Sequence, residues 1–180
     1  VIREILKYPD NILCEPSAPV MIEGCEYANT TSPDGMVAVP MNSKELKSLV
    51  DDITDTAMNV PWGRAVGFAA PQIGRPLRVF LALGEIYVNP VITWVSPKIV
   101  RQKEGCYSLD NNKLDYETPR HHSIEIAYQA VRWTPQGEMI VQTKRKRFHR
   151  FDAQVIQHEY DHINGIACCQ EREEEVEAGE

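Results

Sequence analysis

Residues 158–162 read His158-Glu159-Tyr160-Asp161-His162. Two histidines four positions apart stand one turn apart on the same face of a helix. From there both imidazoles can reach one metal ion. Glu159, beside them, can take a proton from water held by that ion. The pattern also arises by chance, so its weight rests on two further requirements: a helix beneath it and a third ligand. The helix is independently suggested by Ala153, Val155, Ile156, Tyr160 and Ile163, which recur at helical spacing.

Three kinds of residue could supply the third ligand. Cys168 stands where a metzincin-like metalloprotease has its third histidine, and Gly165 fits that spacing as well. A downstream Glu, as in thermolysin-like proteases, would need a second helix, for which the residues after His162 leave little room. The third is Cys106, far upstream in Glu104-Gly105-Cys106-Tyr107-Ser108. A lone cysteine after a strand is usually a small buried hydrophobe. Here Gly105 permits close backbone approach, and Glu104 and Ser108 are unusual neighbours for a core position. A thiolate and two imidazoles would leave a fourth position open for water, as in catalytic sites.

Another segment, Gly67-Phe68-Ala69-Ala70-Pro71-Gln72-Ile73-Gly74, places small residues in a row. Such a run lets a backbone pass close to a ligand, and Gln72 could offer a side-chain N–H to a developing oxyanion. A tight turn before a strand would explain the same residues without any chemistry.

The elements that must position these groups can be read from periodicity. Asn42 to Met58 is expected to be an amphipathic helix, capped by Asn42 with Glu45 three residues on, and with Leu46, Leu49, Val50, Ile53 and Ala57 on one face. Strands are expected at Arg78–Leu83, Tyr87–Val91, Ile99–Gln102, Ile124–Val131 and Met139–Thr143, with a hairpin turn at Thr134-Pro135-Gln136-Gly137. A last helix should run from Asp152, as N-cap, to Ile163, stopped by Asn164-Gly165. Ile2 to Val20 reads as extended or turn-like, and Gly24 to Asn42 as a surface loop with its tightest point at Pro33-Asp34-Gly35. Lys144-Arg145-Lys146-Arg147 reads as a solvated basic turn, or else as a patch able to dock on ribosomal RNA. The pattern is that of an α+β domain over residues 1–167, followed by an acidic tail, 168–180.

The composition fits that picture. The chain has 180 residues and a formal net charge of −7, which argues against a general nucleic-acid binder. No apolar run is long enough to span a bilayer as a helix, so no membrane role is expected. Five cysteines, an odd number with Cys168 and Cys169 adjacent, make a poor disulfide framework and suit a reducing compartment. His121 and His122 would point apart on a strand and are not expected to be ligands.

In this order, the segments at Gly67–Gly74, Glu104–Ser108 and His158–His162 resemble the three signature motifs of the peptide deformylase family. The resemblance covers roughly Ile5 to Ala167 and includes Tyr8-Pro9-Asp10 and Asn89-Pro90. It implies an α+β fold: antiparallel β-sheets packed around a central metal-binding HExxH helix, with an N-terminal amphipathic helix. It implies ligation of one divalent metal ion by Cys106, His158 and His162. The expected ion is ferrous iron, with zinc, nickel or cobalt as substitutes. The substrates implied are formyl-methionyl peptides of nascent chains. Metal-bound water would be activated by Glu159, and the oxyanion held by the metal, Gln72 and the Tyr107 backbone N–H. Gly67 would accept a backbone hydrogen bond from the substrate. Glu104 and Arg120 match positions that brace the site and contact the peptide. Val66, Phe151, Gln154 and Val155 would lie about the methionine side chain.

Some residues depart from the family's pattern. Ala65 replaces the first glycine of motif one, Tyr107 replaces a leucine, and Gln154 stands where an apolar residue is expected. The relaxed motifs are similar to those of mitochondrial deformylases of eukaryotes, so an organelle, or otherwise a bacterial cytoplasm, is the expected compartment. Two alternatives use the same residues differently: a metzincin-like protease relying on Cys168, and a deformylase-like binding module that has lost catalysis.

Overall fold

The computed structural model describes residues 1–25, 36–61, 63–109 and 116–166. The Pro33-Asp34-Gly35 turn, Cys168 and the acidic tail, three of the features singled out above, lie outside these residues.

The described residues form three α-helices and nine strands, five of the strands in one sheet. The helices are α1 (Asn11–Cys14), α2 (Ser43–Met58) and α3 (Arg150–Ile163). The strands are β1 (Val20–Ile22), β2 (Val39–Met41), β3 (Gly67–Ala69), β4 (Val79–Ala82), β5 (Glu85–Val95), β6 (Ile99–Glu104), β7 (Tyr116–His121), β8 (Ser123–Trp133) and β9 (Met139–His149). The main sheet has the order β3-β4-β5-β8-β9 and is antiparallel throughout. Strands β6 and β7 form a separate antiparallel pair. Strands β1 and β2 pair in parallel, a small exception to the expected antiparallel sheets.

Side-chain alternation decides which helix meets which face of the main sheet. Phe68, Val79 and Val88 pack with Leu46, Leu49 and Ile53 of α2. Their chain neighbours Ala69, Phe80 and Tyr87 pack with Ala153, Val155, Ile156 and Ile163 of α3. The sheet therefore lies between two helices, with an apolar core on each side. On its other flank α3 is joined to β7, where Gln157 exchanges two hydrogen bonds with the backbone of His121 (3.0 and 2.9 Å). The motif-bearing helix thus sits between the five-stranded sheet and the β6–β7 pair.

Helix α2 begins as its sequence indicates. Asn42 Oδ1 accepts from the N–H of Lys44 and Glu45, and Glu45 reaches back to the Asn42 N–H. The start of α3 differs from expectation. Asp152 is not its N-cap: the helix begins at Arg150 after His149, which makes no side-chain capping bond. Strand β9 runs directly into the helix, and Arg150 turns the corner at φ +52° while its N–H donates to the His122 carbonyl. No loop remains in which Asp152 could act as a cap. Asn164 and Gly165 end the helix as expected, the latter at φ +73°.

Extension of β9 also overturns the reading of Lys144–Arg147 as a turn. In a strand, successive residues face opposite ways. Lys144 and Lys146 accordingly meet Glu85, and Arg145 and Arg147 meet Glu125. Strand β7 lay hidden because Pro119 interrupts it, and a proline is tolerated only in an edge position. The expected loop from Gly24 to Asn42 contains β2 near its end, and the expected extended start contains α1. Asn89 adopts φ +49° and ties three strands together: its side chain exchanges two 2.8 Å bonds with Val20 of β1 and donates to Gln129 of β8.

Candidate metal centre

Two elements bring Cys106, His158 and His162 together. Helix α3 presents both imidazoles one turn apart, with ring centres 4.9 Å from each other. Cys106 arrives just beyond the end of β6. The thiol and one ring nitrogen from each histidine all lie within 4.8 Å of one another, and Sγ stands 3.2 Å from His162 Nε2. Cys106 and His162 are buried, and His158 is only partly exposed.

One thiol and two imidazoles converging on a point are the donor set of a three-ligand metal site with an open position. The enclosure of His162 suits that use. Burial, reinforced by the nearby charges of His158 and Arg120, pushes its imidazolium pKa well below the ordinary value. The neutral ring is the form that binds a metal. Its Nδ1 makes no hydrogen bond among the described residues.

His158 is oriented by a buried ionic network. Its Nδ1 lies 2.9 Å from Glu104 Oε2, leaving Nε2 for a ligand. Arg120 forks onto both oxygens of Glu104 at 2.8 Å and also pairs with Asp161. Burial alone would raise the Glu104 pKa. The hydrogen bonds and charges of Arg120 and His158 outweigh it and bring the carboxyl down to about 2. Burial raises the Asp161 pKa even beside Arg120, assisted by the negative charge of Glu104. Arg120 is only 6 % exposed, so it is neither a surface arginine nor part of the cleft wall; it braces the site from behind. Asp161 was not singled out from the sequence. It lies three residues after His158, on an adjacent part of the same helix face, and its spacing was the available signal.

The segment at Gly67 forms β3 and then a short 3-10 helix, Ala70–Ile73. Gln72 is held at both ends of its amide. Its Oε1 accepts from the Ala69 N–H at 2.9 Å, and its Nε2 points to Ser108 Oγ (3.2 Å) and Cys106 Sγ (3.7 Å). Ser108, noted earlier only as an unusual neighbour, is therefore a support for Gln72. Gly67 has a steric reason to be glycine. A Cβ placed there would lie 2.2 Å from Glu159 Oε1. The glycine is the space into which Glu159 fits.

These residues border a cleft of about 270 Å³. Val66, Gly67, Gln72, Glu104, Cys106, Tyr107, Phe151, Gln154, Val155, His158 and Glu159 all line it. His162 lies behind this surface, against Cys106. The Gln154 amide donates to the Lys103 carbonyl at 3.2 Å, which accounts for a polar side chain in this wall. A cleft with converging ligands, a carboxylate beside them and amide donors nearby is equipped to add water across a carbonyl.

Comparison with known proteins gives a consistent result. The model of the polypeptide deformylase family matches residues 2–177. A peptide deformylase-like protein of Bradyrhizobium diazoefficiens is 33% identical over 171 residues, spanning 92% of this chain and 82% of that one. Peptide deformylase 2 of Pseudomonas putida is 33% identical over 180 residues, spanning 92% and 84%. Among solved structures, the Met-Ala-Ser-bound class I type b peptide deformylase of Acinetobacter baumannii superposes with a TM-score of 0.64 at 27% identity. The match covers 92% of this chain and 95% of that one.

Proposed function

Because the chain belongs to the polypeptide deformylase family, we propose that its cleft hydrolyses the N-formyl group of formyl-methionyl peptides at the centre formed by Cys106, His158 and His162. The observation that carries this reading is the convergence of those three ligands beside Glu159 in one cleft. Cys106, His158 and His162 would hold one divalent ion, and ferrous iron is the ion we assign. When bound, the ion supplies Lewis-acid chemistry, acidifying water and polarising the formyl oxygen.

The protein's own residues divide the remaining work. Glu159 receives the proton of the attacking water and delivers it to the departing amine. Gln72 Nε2 and the Tyr107 backbone N–H donate to the formyl oxygen as negative charge develops on it. Gln72 suits that role because its Oε1 is already fixed by Ala69, so the amide cannot turn its oxygen inward. Gly67 leaves room for Glu159 and presents its backbone to the peptide. Val66, Phe151, Gln154 and Val155 would surround the first side chain. A reducing compartment, either bacterial cytoplasm or an organelle, would keep Cys106 reduced. The basic run in β9 gives little support to ribosomal docking, since Glu85 and Glu125 already pair with its charges.

A metzincin-like protease has no need of Cys106, yet among the described residues Cys106 is the one that meets the histidines. An inactive binding module would usually lack a ligand, the base or the oxyanion donor, and all five groups are present. The reading is tested by incubating anaerobically prepared, iron-loaded protein with formyl-Met-Ala-Ser and with a longer unformylated peptide. Formate from the first and no cleavage of the second is the expected result. Cleavage of internal peptide bonds without formate would contradict it.

A further inference from the structure

Two exposed cations stand at the rim of the cleft. The chain carries a net charge of −7. Yet Arg64, just before β3, and Lys103, on β6, line the cleft from two walls, and both are exposed. Neither side chain makes a hydrogen bond or ion pair with any described residue. Glu117 faces Lys103 across the β6–β7 pair, but their side chains form no ion pair. The lining carboxylates do not neutralise the rim: Glu104 is committed to Arg120 and His158, and Glu159 lies buried against Gly67. Arg101 shares the exposed face of β6 with Lys103, two residues along, and also has no partner among the described residues.

The wall that carries Lys103 is also fixed. Gln154 of α3 donates to the Lys103 carbonyl, which ties β6 to the helix at this point. Val66 (49 % exposed) and Phe151 (56 % exposed) also line the cleft and give it two apolar lips.

From this arrangement we infer that the cleft selects formylated peptides bearing acidic side chains just after the first residue. The inference rests on the deformylase reading. A peptide whose formyl group reaches Cys106 and the histidines must leave through the mouth, and an extended chain advances about 3.3–3.6 Å per residue. Its second and third side chains therefore emerge between Arg64 and Lys103. Exposed cations contribute modestly one by one, and their effect depends on salt. Gln154 acts here as a positioning residue through the Lys103 backbone.

The test compares C-terminally amidated formyl-Met-Asp-Glu-Ala, formyl-Met-Ala-Ser-Ala and formyl-Met-Lys-Lys-Ala at low ionic strength, by formate release. The order acidic, neutral, basic is expected, with a step of roughly threefold to tenfold carried mainly by KM. Salt at about 0.5 M should compress it. In the R64E/K103E double variant the acidic-to-basic ratio should invert. Equal kcat/KM for all three peptides in the parent, or a ratio unmoved by the double variant, would overturn the inference while leaving the deformylase reading intact. No formate from any peptide would defeat that reading and this inference with it.

Discussion

At the residue scale, the site is built from mutual constraints. Gly67 and Glu159 are one such pair, since any side chain at 67 must occupy the space of the Glu159 carboxylate. Gly67→Ala is therefore expected to bind metal normally but to lose about a hundredfold or more in kcat, because general-base catalysis contributes about 10²–10⁴. Metal content beside steady-state rates checks this. Arg120 and Glu104 are another pair. Arg120→Met would leave a buried carboxylate and Asp161 without their cation. Breaking a buried pair by removing one partner costs about 3–5 kcal/mol, which denaturant unfolding should register. The two histidines and Glu159 were legible in the sequence because their spacing is local; Cys106, far upstream, was one of three candidates until the family resemblance was weighed. Arg120 was only half legible. Its place before a strand is written in the chain, but its burial depends on Glu104 and Asp161, sixteen and forty-one residues away along the sequence.

At the element scale, helices were easier to read than strands. The α2 cap is spelled out within four residues, and its apolar face has a regular period. The end of β9 is not, because Lys144–Arg147 has the composition of a solvated turn. It is a strand because Glu85 and Glu125 wait on its two sides, and those partners are distant in sequence. Glu85 also accepts a hydrogen bond from Tyr128 at 2.9 Å, so it links β5 to β8 and β9. Burial alone would raise its pKa, but Lys144, Lys146 and Tyr128 lower it below the ordinary value. A carboxylate depressed in the folded state stabilises the fold above the ordinary glutamate range. That contribution is lost as pH falls through the lowered value. Glu85→Gln should thus be less stable near neutrality but lose less stability on acidification than the parent. Thermal melts across an acid series would show it, and parallel acid limbs for the two proteins would argue against it.

At the scale of the whole molecule, the architecture exists to hold α3. The main sheet packs one side of that helix, the β6–β7 pair holds the other, and α2 closes the far face of the sheet. The α+β class was readable from the alternation of patterns along the chain. The enclosure of α3 was not readable from periodicity, since it depends on which strand faces point which way and on the unrecognised β7. On this reading Cys106, His158 and His162 hold a metal ion where Glu159 serves as the base. The most direct measurement pairs metal stoichiometry with formate release from formyl-Met-Ala-Ser, for the iron-loaded parent and for Glu159→Ala. About one equivalent of metal is expected in both proteins and formate from the parent, with the variant's rate reduced by about 10²–10⁴. A Glu159→Ala protein that binds metal and releases formate at the parent's rate would contradict that reading.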